Sequence, residues 1–211
     1  MAALKTALNL ALKDGYLTSN HAWLNALKPV ANASRKRTTY LDLAQRRALI
    51  ENAPSDLAHL IRALSLTPLR PGAMAALTVS SYDKRLKTLN IGKDKAGADR
   101  ILPLPAETAA FFSEQCKDKL PSAPLLCRQD GKKWDKDAWK YVIKTALAKA
   151  NLPTEATIYT LRHSVITDLV VGGLDILTVA KLSGTSVAMI EKHYGHLRQE
   201  HAKTALARLA L

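Results

Sequence analysis

Four residues spread along the chain, Arg70, Lys95, Arg162 and Tyr194, are of types that together could perform one reaction. A tyrosine phenol is an oxygen nucleophile once it loses its proton. A planar guanidinium meets two phosphate oxygens at once, which the point charge of an ammonium cannot do. A lysine is suited to giving a proton to a departing alkoxide. The set therefore fits transesterification of a phosphodiester, in which charge builds on the non-bridging oxygens and arginines neutralise it. Taken singly, each has an ordinary reading: a surface arginine, a turn lysine, an arginine near a helix start and a half-buried tyrosine. A phosphotyrosine linkage would conserve the bond energy, so no ATP is needed, and the chain has no GxxxxGK[ST] loop. A metal-dependent nuclease would want clustered carboxylates near these positions, and none is found. His193, His196 and His201 lack an acidic third ligand and read as packing or phosphate-contacting groups. Neither a metal nor another cofactor is expected.

The elements that must position these residues are mostly helical. Helices are expected over 3–14 and 20–27, from an Asp42 cap to about 51, and from a Ser55 cap through Leu57, Leu60, Ile61 and Leu64. Pro71 suits the first turn of a short helix, which puts Arg70 just before it. Val79–Tyr82, Leu86–Ile91 and Arg100–Leu104 read as strands of a small antiparallel sheet, with Lys95 at a hairpin tip. Helices resume over 106–117 and 136–150. Thr160 is expected to cap one ending at Gly172-Gly173, which puts Arg162 and His163 in its first turn. Asp175 caps another ending near Gly184. Ser186 caps one ended by Gly195, with Tyr194 as its last residue. A final amphipathic helix is expected over 197–209. The fold class is mainly α with a three-stranded antiparallel β-sheet.

Lysine and arginine number 31 against 18 acidic residues in 211, a formal net charge of +13. Such an excess favours a polyanionic partner, because each phosphate neutralised releases condensed counterion. Arg35, Lys36 and Arg37 lie in a basic linker at 31–39. Lys84, Arg85, Lys87 and Lys93 lie on the sheet. Lys132 and Lys133, with Lys136, Lys140 and Lys144, precede and line the 136–150 helix. All read as contacts to a nucleic-acid backbone, against the plainer alternative of a solvated face. Cys116 and Cys127 form no CxxC and read as thiols in a reducing cytoplasm. No apolar run approaches the roughly 18 residues of a membrane span. Residues 1–30, two amphipathic helices ahead of the linker, are expected to be the tail of a larger N-terminal DNA-binding domain, with 40–211 a separate catalytic domain.

Thr67-Pro68-Leu69-Arg70-Pro71-Gly72, Asp94-Lys95-Ala96-Gly97-Ala98-Asp99-Arg100-Ile101-Leu102-Pro103, Tyr159-Thr160-Leu161-Arg162, Leu182-Ser183-Gly184-Thr185-Ser186 and His193-Tyr194-Gly195-His196 occur in that order. This series resembles the boxes of the tyrosine recombinases, also called the phage-integrase family. The resemblance implies the DNA breaking-rejoining fold, phosphate-clamping roles for Arg70 and Arg162, a hairpin lysine at Lys95 and a nucleophile at Tyr194. It implies site-specific recombination of double-stranded DNA attachment sites by a homotetramer on synapsed DNA, encoded in a bacterium or on a phage or mobile element. A topoisomerase of the same fold and a catalytically weak DNA-binding module are the rival readings. Two positions depart from the family pattern: Tyr159 stands where the HxxR histidine is usual, and Thr185 where His or Trp is usual. Both keep a hydroxyl able to bond a phosphate oxygen. Neither is a base near neutral pH, since an ordinary phenol titrates near 10. Ala73 also replaces a usual Glu. His163 is expected as a supporting group that could compensate for the missing histidine.

Overall fold

The computed structural model describes residues 2–28, 39–93, 99–198 and Ala207. The chain divides into two compact units, Met1–Lys36 and Arg37–Leu211. In the first, α1 (Ala2–Lys13) and α2 (His21–Leu24) are tied by a hydrogen bond from Trp23 Nε1 to Asn9 Oδ1 at 2.9 Å. The helix expected over 20–27 is thus a single turn.

The second unit opens with α3 (Leu43–Glu51), α4 (Ser55–Leu66) and α5 (Pro71–Ala75). Asp42 caps α3 in a reciprocal box with Gln45. The cap of α4 is Pro54, not Ser55, whose side chain makes no capping bond. Val79–Ser81 is a 3-10 turn rather than a strand. Val79 and Ser80 donate to the Ala123 and Pro121 carbonyls, and the Ser81 N–H to the Thr78 carbonyl, so no N–H is left for a ladder. The sheet is β1 (Tyr82–Asp83), β2 (Thr88–Lys93) and β3 (Asp99–Pro103), antiparallel in the order β1-β2-β3. Leu89 faces Leu102, and the register slips between Asn90 and Lys93. The β2 strand starts two residues later than expected because Asp83 folds the chain back on Leu86 and Lys87 takes a positive φ.

Then come α6 (Ala106–Gln115), α7 (Lys136–Lys149), α8 (Ile158–Val171), α9 (Ile176–Ser183) and α10 (Val187–Tyr194). The cap of α8 is Thr157; Thr160 is its partner, whose hydroxyl accepts the Thr157 N–H at 2.9 Å. The helix therefore starts three residues earlier than expected, and Arg162 lies in its second turn. Gly195 does not stop α10 with a left-handed residue. It stays right-handed, and the chain runs on as a 3-10 turn, Gly195–Arg198. The amphipathic helix expected at 197–209 thus does not begin at 197, and all of the segment beyond Arg198 except Ala207 lies outside the described residues. Among the described residues no helix is long and apolar enough to cross a membrane.

Two apolar clusters meet at α8. Ile158 and Leu161 belong to the larger, with α4, α5, the sheet, α6 and α7; Ile166 and Val170 join Val179, Ala180 and Ile190 in the smaller. Packing on both sides explains why α8 has no wholly polar face. Its middle is fixed by polar bonds as well. Ser164 Oγ accepts the Leu41 N–H at 2.9 Å, and Asp168 accepts from the Tyr40 hydroxyl at 2.7 Å and pairs with buried Arg46. Asp168→Ala would leave the Arg46 charge buried without its carboxylate. Breaking a fully buried pair costs about 3–5 kcal/mol. Asp168 is 39% exposed, so screening reduces the loss. Urea unfolding should show destabilisation by about 2 kcal/mol, with Asp168→Asn costing less.

Candidate active site

The site forms where α9 ends. Gly184 turns the chain with φ +64° and ψ +50°, and the N–H groups of Gly184 and Thr185 return to the Lys181 and Ala180 carbonyls. The next carbonyls are left to other partners. Arg162, from α8, donates through Nη1 to Ser183 O at 2.8 Å and also to Pro68 O. Arg70, set by Pro71 at the start of α5, donates through Nη1 to Gly184 O at 2.7 Å. Residues 114 positions apart are thereby placed on one turn. The negative end of a helix is a natural seat for cations, and hydrogen bonds to charged groups contribute about 1.5–3 kcal/mol each.

Tyr194, at the end of α10, reaches back to α8. Its hydroxyl lies 2.9 Å from His163 Nδ1, and the two rings are 5.2 Å apart. His163 and Arg162 are consecutive, so α8 supplies both the partner of the phenol and a half-buried guanidinium beside it. Tyr159 lies one turn before on α8 and is 38% exposed, and Thr185 is half-buried next to Gly184. The structure thus gathers Arg70, Tyr159, Arg162, His163, Thr185 and Tyr194. Lys95 and the linker residues Arg35, Lys36 and Arg37 lie outside the described residues. Lys93, Lys132, Lys133 and Lys136 are exposed, and no described contact joins them to the arginines. Among the described residues no group of His, Cys, Asp or Glu is placed to hold a metal.

Burial brings Arg162 down from the ordinary guanidinium range to about 10; the Arg70 charge adds to the fall, Tyr194 opposes it, Arg100 adds further and Tyr159 opposes. Arg162 is still a cation at neutral pH, but a strained one, at a cost on the order of 3 kcal/mol. Above pH about 10 the unfolded chain still holds the proton that the folded one has released, so this cost fades as pH rises from there toward the ordinary guanidinium range and is full below it. Among the described residues neither Arg70 nor Arg162 has an ion pair with a carboxylate. An anion between them would remove the repulsion.

Arg100 is the residue that sequence reasoning missed. It sits on β3, on the same side of the strand as buried Leu102, and its guanidinium reaches the α9 turn. A charge on the core-facing register of a strand was the available signal.

The sequence matches the family described as "Phage integrase family" over residues 39–201. Tyrosine recombinase XerA of Pyrococcus furiosus is 24% identical over 173 residues, 78% of this chain and 59% of that protein. The chain therefore spans about three-fifths of that relative's length. Among solved structures, the Tn1549 transposon integrase with circular intermediate DNA superposes with a TM-score of 0.75 at 17% identity, over 98% of this chain and 77% of that one. The catalytic domain of bacteriophage HP1 integrase does so with 0.60 at 19%, over 81% and 95%. These define the class, a mainly helical integrase-type catalytic fold with a small sheet. This chain belongs to the phage integrase family.

Inorganic phosphate should bind at the paired arginines. At ten times its Kd it should stabilise the protein by about 1.4 kcal/mol, raising Tm by about 3 °C over chloride at matched ionic strength. Arg70→Ala should lose most of that increment in a thermal melt.

Proposed function

We propose that this chain is the catalytic part of a site-specific DNA recombinase that cleaves and rejoins strands through a 3′-phosphotyrosine. The observation that carries the reading is the contact between Tyr194 and His163, next to two guanidinium groups held on one turn. With the imidazole proton on Nε2, Nδ1 accepts the hydrogen bond from the phenol and can take its proton. Tyr194 Oη then attacks phosphorus, Arg70 and Arg162 stabilise the charge on the non-bridging oxygens, and the bond to the 5′-oxygen breaks. Lys95 gives that oxygen its proton. The reverse sequence, with another strand's 5′-hydroxyl as nucleophile, rejoins DNA. Tyr159 and Thr185 contribute hydroxyl donors in this scheme, and His163 does the work of a base that neither can do.

The substrate in this reading is double-stranded DNA, supported by the +13 charge and by family membership. Lys93, Lys132, Lys133 and Lys136, with Arg35, Lys36 and Arg37, would neutralise its backbone. Assembly of four copies on two paired sites rests on the family resemblance, and a role for residues 1–30 as part of a larger DNA-binding domain rests on their two amphipathic helices ahead of the basic linker.

Nicked duplexes of randomised sequence, enriched by binding, provide the test. Wild-type protein should yield a denaturant-resistant adduct, because the short strand beyond the nick diffuses away. Tyr194→Phe should abolish the adduct with DNA affinity nearly unchanged. His163→Gln should slow it about 100-fold or more, the usual contribution of a general base. It should also remove the fall in rate on acidification that protonating an imidazole base imposes. If wild-type protein saturated with the enriched duplexes gives no adduct, the reading falls to that of a DNA-binding module. Relaxation of supercoiled DNA lacking paired sites, with no strand exchange between sites, would favour a topoisomerase.

A further inference from the structure

Three successive carbonyls at the end of α9 receive three arginines from three parts of the chain. Ser183 O takes Arg162 and Gly184 O takes Arg70, while Leu182 O faces Arg100 Nη2 at 3.5 Å, the long limit of a hydrogen bond. The third guanidinium lies close against the turn. A Cβ added to Gly184 would sit 2.3 Å from Arg100 Cζ and from Nη1. Gly184 is therefore required twice, by its left-handed backbone and by the closeness of Arg100. The Arg100 charge is also felt at Arg162, where it deepens the depression already caused by burial and Arg70. A fold that needed only to hold the turn could do so with a neutral donor. Placing a third like charge there raises the energy of the free protein and strengthens the positive potential at the turn.

We propose that Arg100 is a positioning residue of this site, whose guanidinium holds the 182–185 turn under Arg70 and Arg162 and adds its charge to the field they present to a phosphate. The proposal rests on the strand-cleaving reading above. Arg100→Gln keeps a planar donor and loses the charge; Arg100→Lys keeps the charge and loses the plane. Both are compared with wild type on the enriched nicked duplexes, carrying at the scissile position either the natural phosphodiester or a methylphosphonate, which has no negative charge on its non-bridging positions. On the phosphodiester, Arg100→Gln should form the adduct about 10- to 100-fold more slowly, at or below the usual loss for one phosphate-directed donor. Arg100→Lys should recover most of that rate. On the methylphosphonate the Gln variant should come within about threefold of wild type. An equal deficit on both substrates, or a Lys variant as slow as Gln, would mean that Arg100 only braces the turn and would overturn the proposal. So would full activity of Arg100→Gln on the phosphodiester. Absence of adduct with the wild type on the phosphodiester would instead remove the strand-cleaving reading, and this proposal with it.

Discussion

The end of α9 is the constraint on which the rest of the site depends. Its backbone must stop at Gly184 so that the carbonyls of Ser183 and Gly184 turn outward, and those oxygens hold Arg162 and Arg70 within one small volume. Hydrogen bonds from charged donors contribute about 1.5–3 kcal/mol each. Bonds to neighbouring carbonyls thus hold two like charges together, and the free site remains poised for an anion. Burial first, and the neighbouring Arg70 charge second, lower the Arg162 pKa to about 10.

A poised site needs a rigid frame, and α8 provides it. The helix is packed in two apolar clusters, capped by Thr157 and pinned near its middle through Ser164 and Asp168. Arg162 and His163 are adjacent on it, so one element fixes the clamp and the partner of the phenol together. Tyr194 comes from α10, whose apolar contacts are with the smaller cluster. Tyr194 thus depends on fewer buried neighbours than Arg162 does. In a recombinase this would let the tyrosine move while the phosphate pocket stays formed.

Much of the fold was legible in the sequence because helical periodicity and capping residues are local signals. The mixed architecture, the sheet near residue 100 and the boundaries of α3, α7, α9 and α10 all follow from them. The misplaced features share a different cause. Val79–Tyr82 has strand-like residue types, but its first N–H groups are claimed by carbonyls some 40 positions away. Thr160 looks like a cap, yet Thr157 stands three residues earlier and takes it as a partner. Of the site, the motif boxes gave Arg70, Arg162 and Tyr194. His163 drew notice for its place beside Arg162, while its bond to Tyr194 depends on how α8 and α10 pack. Arg100 could not be recognised as a neighbour of Gly184, because 84 positions separate them and only the fold closes the gap.

The most direct measurement is a crystal structure of the Tyr194→Phe protein on an enriched duplex. The scissile phosphate should be seated at the end of α9, within hydrogen-bond distance of Arg70 and Arg162. The substituted ring at the end of α10 should point its edge at phosphorus, opposite the 5′-oxygen. DNA phosphates bound elsewhere on the surface, with both arginines still spent on the Ser183 and Gly184 carbonyls alone, would contradict it.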